Sequence, residues 1–299
     1  PLYSSAASDV YKRQVHGDMS GVRCGAERDV RGLDLSSMER KRLKRSLEDL
    51  YERYASREFV DPDPLVFLYG YTDVRDREIA GLVASSLAFG GVKQIMVSVG
   101  KVLEPMGGSP RRFVEETSPG EMAGIYESFR HRWATAEDVV QMLTGVRSMI
   151  AEYGSLENGF VSGMKDDDAD LLPAVTKFAS GIVCVGSAAG VCLIPDPCRG
   201  SACKRLNLFL RWMVRGDRVD PGGWDTVPAS KLIVPLDTHM YRFASLLGMT
   251  ERKQADITAA REITAEFAKI SPDDPVKYDF ALTRLGIRRD EDRAELLAK

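Results

Sequence analysis

Two side chains 33 positions apart are of types that can do chemistry together: Lys204, which opens "KRLNLFLRWMVR", and Asp237, within "VPLDTHMYRF". A lysine amine that gives up its proton is a nucleophile, and a carboxylate beside it can draw that proton and stabilise positive charge as it develops. Asp237 is also placed as a helix N-cap. A proline-stopped apolar run precedes it, and Thr238 to Leu247 follow with Met240, Phe243, Ala244 and Leu247 on one face and Gly248 at C′. The two roles are compatible, because amide donors at a helix start keep a carboxylate ionised and aimed.

Lys204 needs an element of its own. At about 100° per residue, Lys204, Leu208, Arg211 and Arg215 fall within one arc of a helix spanning Ser201 to Arg215, with Leu206, Phe209, Leu210 and Met213 opposite. That spacing predicts an apolar back and a basic front. The turn-rich stretch Leu193 to Gly200 leads into the helix, whose first amides and arginines suit a phosphate; a merely solvated cationic face is the plainer account. Asp279, followed by Phe280, Ala281 and Leu282, reads as a partly buried carboxylate that either contacts a bound group or serves as a cap or ion-pair partner. Phe89, Phe209 and Trp212 are candidates for stacking, with core packing the alternative. His239 is expected to be a hydrogen-bonded core histidine next to Asp237.

The chain of 299 residues is 44% hydrophobic, enough for a substantial core, and carries 41 Lys+Arg against 44 Asp+Glu. A net charge of -3 provides no global attraction to nucleic acid, so any such binding needs a local basic face. No apolar run reaches the roughly 18 to 20 residues of a membrane span. The five cysteines, Cys24, Cys184, Cys192, Cys198 and Cys203, form no C-x-x-C pair, and their odd number fits reduced thiols in the cytoplasm. With few histidines beside them, no metal site is expected, and no cofactor.

Residues 1–14 contain "SSAASDVYKRQ", which resembles the translation of a sequencing adapter, and are set aside; 15–34 read as a leader. An amphipathic helix is expected from Leu35 to Ala55 through Leu43, Leu47, Leu50 and Tyr51, and a break at Asp61–Pro64. Two apolar helices punctuated by Gly90-Gly91 cover Arg75 to Leu103. Further helices are expected after Ser109-Pro110, after Thr135-Ala-Glu-Asp138, and from Asp166 to Ile182. Only Gly181–Val185 and Leu232–Val234 tempt as strands, and both suit buried connections or helix ends. The fold class is all-α.

The segments "REIAGLVASSLAFGGVKQI", "GSACKRLNLFLRWMVRGDRVD", "KLIVPLDTHMYRFASLLGMTERK" and "SPDDPVKYDFALTRLGI" resemble the bacterial family DUF2400 over roughly residues 38–289. Two shorter regions, the Lys204 helix with the turns before it and "VPLDTHMYRFASLLGM", are similar to the helix-hairpin-helix DNA glycosylase superfamily. The spacing from Lys204 to Asp237 is nearest that of its archaeal 8-oxoguanine branch. The hairpin pattern L-P-G-x-G-x-K of that superfamily is replaced by "IPDPCRGSACK", and Leu208 stands where the branch places a stacking aromatic.

The resemblance implies two helical subdomains with a cleft between them: 35–72 with 237–299, and 73–236. It implies a partner, double-stranded DNA with a damaged base, bound by a monomer away from any membrane. Lys204 and Asp237 would be catalytic, forming a Schiff base that permits strand cleavage. Asp279 and Phe89 would contact the flipped base, and Gly200, Arg205, Arg211 and Arg215 the DNA backbone. The alternatives are a non-catalytic helical module recognising DNA structure or a protein through the Lys204/Arg211/Arg215 face, and a metal-dependent phosphohydrolase. The latter is disfavoured by the presence of only three histidines.

Overall fold

The structure is a computed structural model and describes residues 37–183 and 193–287. The adapter-like stretch 1–14, the leader 15–34, Cys24, Cys184, Cys192 and the tail from 288 lie outside the described residues. Those described are mostly helical. Helix α1 (Ser37–Tyr54) buries Leu47 and Leu50, two members of the apolar stripe read from its sequence. The chain breaks at Asp61–Pro64, where Asp63 accepts from Leu65 N–H at 3.0 Å and starts a 3-10 turn over Pro64–Gly70.

Helix α2 (Val74–Ser86) is capped by Asp73 and buried over most of its length, which is why its sequence shows little amphipathic character. Gly90, at φ +98°, and the N-cap Gly91 separate it from α3 (Val92–Leu103). Ser109 caps α4 (Pro110–Glu116), and a Ser118/Glu121 capping box starts α5 (Pro119–Ile125). A hairpin of two-residue strands, β1 (Arg130–His131) and β2 (Ala134–Thr135), pairs Arg130 with Thr135 and His131 with Ala134. It is too short to leave an alternating pattern, so sequence reading passed over it.

Helix α6 (Ala136–Tyr153) begins with the Thr135/Asp138 capping box and is followed by α7 (Leu156–Val161). Helix α8 (Leu172–Ile182) starts later than the Asp166 expected, at the proline in its first turn, with Asp170 accepting from Leu172 N–H at 3.0 Å. Then come α9 (Lys204–Val214), α10 (Thr238–Leu246), α11 (Ile257–Ala268) and α12 (Asp279–Ile287). Leu232–Val234 is a buried connection without strand pairing, its Val234 N–H donating to Thr264 Oγ1 at 3.0 Å. The other tempting run begins in the end of α8, and 184–185 lie outside the described residues.

Two features hold α9 in place. Phe209 packs with Phe178 and Trp224, and Phe160 closes the same aromatic cluster. Glu78 of α2 sits beneath it, fully buried, accepting from Trp224 Nε1 at 3.0 Å, from the Leu156 and Glu157 amides at 3.0 and 3.2 Å, and from Arg75 at 3.1 Å. One carboxylate therefore ties α2 to the start of α7 and to the segment after α9, and α2 itself packs against α9. Gly145 lets α6 cross the end of α8: a Cβ there would lie 2.0 Å from the Ile182 carbonyl oxygen.

Candidate active site

Lys204 is the first residue of α9, and the chain reaches it through a pinned approach. Asp196 accepts from Cys198 N–H at 2.9 Å, Ser201 pairs with Asp256, and Cys203 turns the chain with φ +50° and ψ +33°. That left-handed conformation is uncommon for a residue with a side chain. Cys203 is buried, and burial pushes its thiol up to about 11, which leaves it inert beside the lysine. Leu206, Phe209, Leu210 and Met213 bury the back of the helix as their spacing indicates. The Lys204 side chain remains 39% exposed.

Asp237 arrives from the opposite direction, at the end of the buried run Leu232–Leu236. It is the N-cap of α10, its Oδ1 accepting from Met240 N–H at 2.8 Å. Its Oδ2 lies 3.5 Å from Lys204 Nζ. The carboxylate is 17% exposed, so amine and acid meet at the edge of solvent and not within the core.

Behind them lies a third acid. Asp279, the first residue of α12, is buried and bonded to Arg211 at 2.5 Å. Burial above all, and then the negative charge of Asp237, pushes its carboxyl up to about 6, against the pull of Arg211 and Lys204. It therefore feels both members of the pair.

Arg211 and Arg215 do not form a basic front. Both are buried: Arg211 binds Asp220 at 3.0 Å as well as Asp279, and Arg215 binds Asp220, Asp217 at 2.8 Å and Asp274 at 2.9 Å. Burial works against both cations, yet the surrounding carboxylates overcome it and raise their pKa values. Arginines held in this way have no reach to a DNA backbone. Three later segments, carrying Asp217/Asp220, Asp274 and Asp279, cover the face that helical periodicity assigned to solvent. Tyr51 of α1 joins the same network through Asp217 at 2.9 Å.

Gly200 is exposed at φ +75°, but its N–H already donates to Pro197 O at 3.1 Å, so that amide is committed to the turn instead of a phosphate. Arg205 donates to Ser86 O at 2.7 Å and lies over the Phe89 ring, 5.1 Å from its centroid. Phe89 is half-buried and stacks on Trp133. Phe209 and Trp212 are core residues, and Leu208 is half-buried. His239 is exposed in the first turn of α10, where a core histidine was expected. Sequence reading missed Asp217, Asp220 and Asp274, whose only signal was their density around "RGDRVD" and "SPDD", and it missed Trp133 altogether.

Among the described residues no cluster of His, Cys, Asp and Glu could hold a metal ion, and no helix is long and apolar enough to cross a membrane. The chain belongs to the DUF2400 family, described as protein of unknown function, which matches residues 63–288. That span takes in Lys204, Asp237, Asp279 and the two buried arginines. No curated protein and no solved structure matches the chain significantly.

Proposed function

We propose that this protein is a DNA glycosylase with lyase activity, removing an oxidised base, with 8-oxoguanine the first candidate. The observation that carries the reading is the 3.5 Å contact between Lys204 Nζ and Asp237 Oδ2, with the lysine still accessible. Asp237 takes up a proton from the Lys204 amine, which then attacks C1′ of an extruded nucleotide. The new C1′–N bond forms as the glycosidic bond breaks, the proton held by Asp237 passes to the departing base, and the regenerated carboxylate stabilises the positive charge left on the sugar-bound amine. Ring opening yields a Schiff base, and loss of a C2′ proton expels the 3′-phosphate.

In this reading α1 with α10–α12 constitutes one helical subdomain and 73–236 the other, with damaged duplex DNA bound by a monomer. Asp279 acts from behind the pair, not on the base, because its carboxylate is already engaged by Arg211. The non-catalytic alternative loses two of its three cations to the buried network. Borohydride trapping on duplex DNA carrying an abasic site or 8-oxoguanine tests the proposal. A covalent complex is expected with the intact protein and not with Lys204→Gln; no complex, or undiminished trapping in the variant, overturns it.

A further inference from the structure

A cation–aromatic stack runs from the residue after Lys204 to the surface. Arg205 lies over Phe89, and Phe89 stacks nearly flat on Trp133, centroids 4.8 Å apart at 17°. Arg132 in turn lies 4.8 Å over the Trp133 ring. His131 meets Phe89 edge-on at 4.5 Å and ties it down, one ring nitrogen 2.9 Å from Ser98 Oγ and the other 2.9 Å from the Phe89 carbonyl oxygen. The tip of the β1–β2 hairpin, with Arg132 at φ +56°, holds the indole outward.

Trp133 is 49% exposed, whereas Trp212 and Trp224 are fully buried. A large rigid ring left in water costs the protein hydrophobic stabilisation, and here it carries Arg132 over its own ring, with the exposed Arg130 on the same hairpin and Arg205 over Phe89 at the inner end. Glu137, exposed in the first turn of α6, is the acidic residue following the hairpin most closely; Asp138 is consumed in the capping box. An exposed aromatic supported from beneath and flanked by arginines is suited to a base whose phosphates need cations.

We propose that Trp133, Phe89, Arg132 and Arg205 form a stacking platform for an unpaired nucleotide of single-stranded or locally opened DNA. It stands next to Lys204 in the chain through Arg205, and it deepens the reading of the protein as DNA-acting while requiring no chemistry at Lys204. The base stacks on the exposed part of the indole and the exposed Arg132 guanidinium meets the backbone, while Arg205, held by Ser86 O, supports Phe89 from the inner side. The aromatic surface accepts any base, so the platform holds DNA without reading its sequence.

Tryptophan emission reports on this surface because the other two indoles are shielded. Titration of the full chain with an oligothymidylate of roughly ten nucleotides is expected to quench emission in wild type and leave Trp133→Phe unchanged. Inorganic polyphosphate, a polyanion without bases, is expected to leave wild-type emission unchanged. Trp133→Ala should weaken oligothymidylate binding about tenfold, read by anisotropy of the labelled oligonucleotide. Absence of quenching at saturation, equal quenching by polyphosphate, or quenching that persists in Trp133→Phe overturns the platform. Loss of borohydride trapping with intact quenching sinks only the glycosylase reading; intact trapping without quenching sinks only the platform.

Discussion

Asp237 divides its carboxylate between two partners: Oδ1 accepts from Met240 N–H at 2.8 Å, and Oδ2 faces Lys204 Nζ at 3.5 Å. Capping and pairing use different oxygens of one side chain. The helix start therefore serves as the device that aims the carboxylate, and the two roles can be separated by substitution.

Asp237→Asn preserves a good N-cap and should change unfolding free energy by no more than about 0.5 kcal/mol, whereas Asp237→Ala should cost about 1 kcal/mol. Both are expected to lower single-turnover trapping at least roughly 100-fold, the contribution typical of a positioned general base. Urea denaturation and trapping kinetics on the same preparations check the pair; full trapping activity in Asp237→Asn would reduce the residue to a cap.

Lys204→Gln should leave stability within about 1 kcal/mol of wild type, because the ion pair it removes lies at the edge of solvent. Trapping should vanish. A cooperative urea transition in the variant, compared with its failure to form the covalent complex, distinguishes lost chemistry from lost fold.

Arg211→Met leaves Asp220 and Asp279 buried without their shared cation and should destabilise by about 3–5 kcal/mol. An arginine on a solvated stripe would give a change within about 0.5 kcal/mol. The midpoint of urea unfolding measures the difference.

The Asp279 carboxyl titrates near 6 in the fold against an ordinary value of 3.8, so folding favours its protonated form. Its stabilising contribution is full below the ordinary value and is lost as pH rises through about 6. Asp279→Asn is permanently neutral, so its stability relative to wild type should improve by about 3 kcal/mol as pH rises from roughly 3.5 to roughly 7.5, at about 1.4 kcal/mol for each pH step between those two titration points. Paired denaturation curves across that range give the slope, and a flat difference would place Asp279 among ordinary carboxylates.

Gly145→Ala puts a methyl 2.0 Å from the Ile182 carbonyl oxygen. The obstacle is backbone, so α6 and α8 must move apart. A loss of about 1–3 kcal/mol is expected in thermal or urea unfolding, in spite of the higher helix propensity of alanine.

Local order was legible in the residues themselves. Ser109, Thr135 and Asp237 each cap the helix their position indicates, Gly90-Gly91 separates α2 from α3, and the apolar back of α9 is buried residue for residue. Such signals depend on neighbours within one or two turns, and a hydrogen bond from a cap or a helical period is complete within that distance. The same period misplaced Arg211 and Arg215, because an arc on one helix says nothing of what later covers it.

Tertiary structure decided that cover. Asp220 is 9 positions from Arg211 and Asp279 is 68, and only the packing of the later segments against α9 converts a basic stripe into a buried ion network. It also decided that Lys204 and Asp237 meet, since each sits at the start of its own helix and nothing local joins them. The Trp133 stack needed the same long-range assembly: a hairpin tip contributes Trp133 and Arg132, the turn after α2 contributes Phe89, and the first turn of α9 contributes Arg205. Sequence determines a side chain's type and its element; the charge and the exposure it keeps depend on which distant segments fold over it.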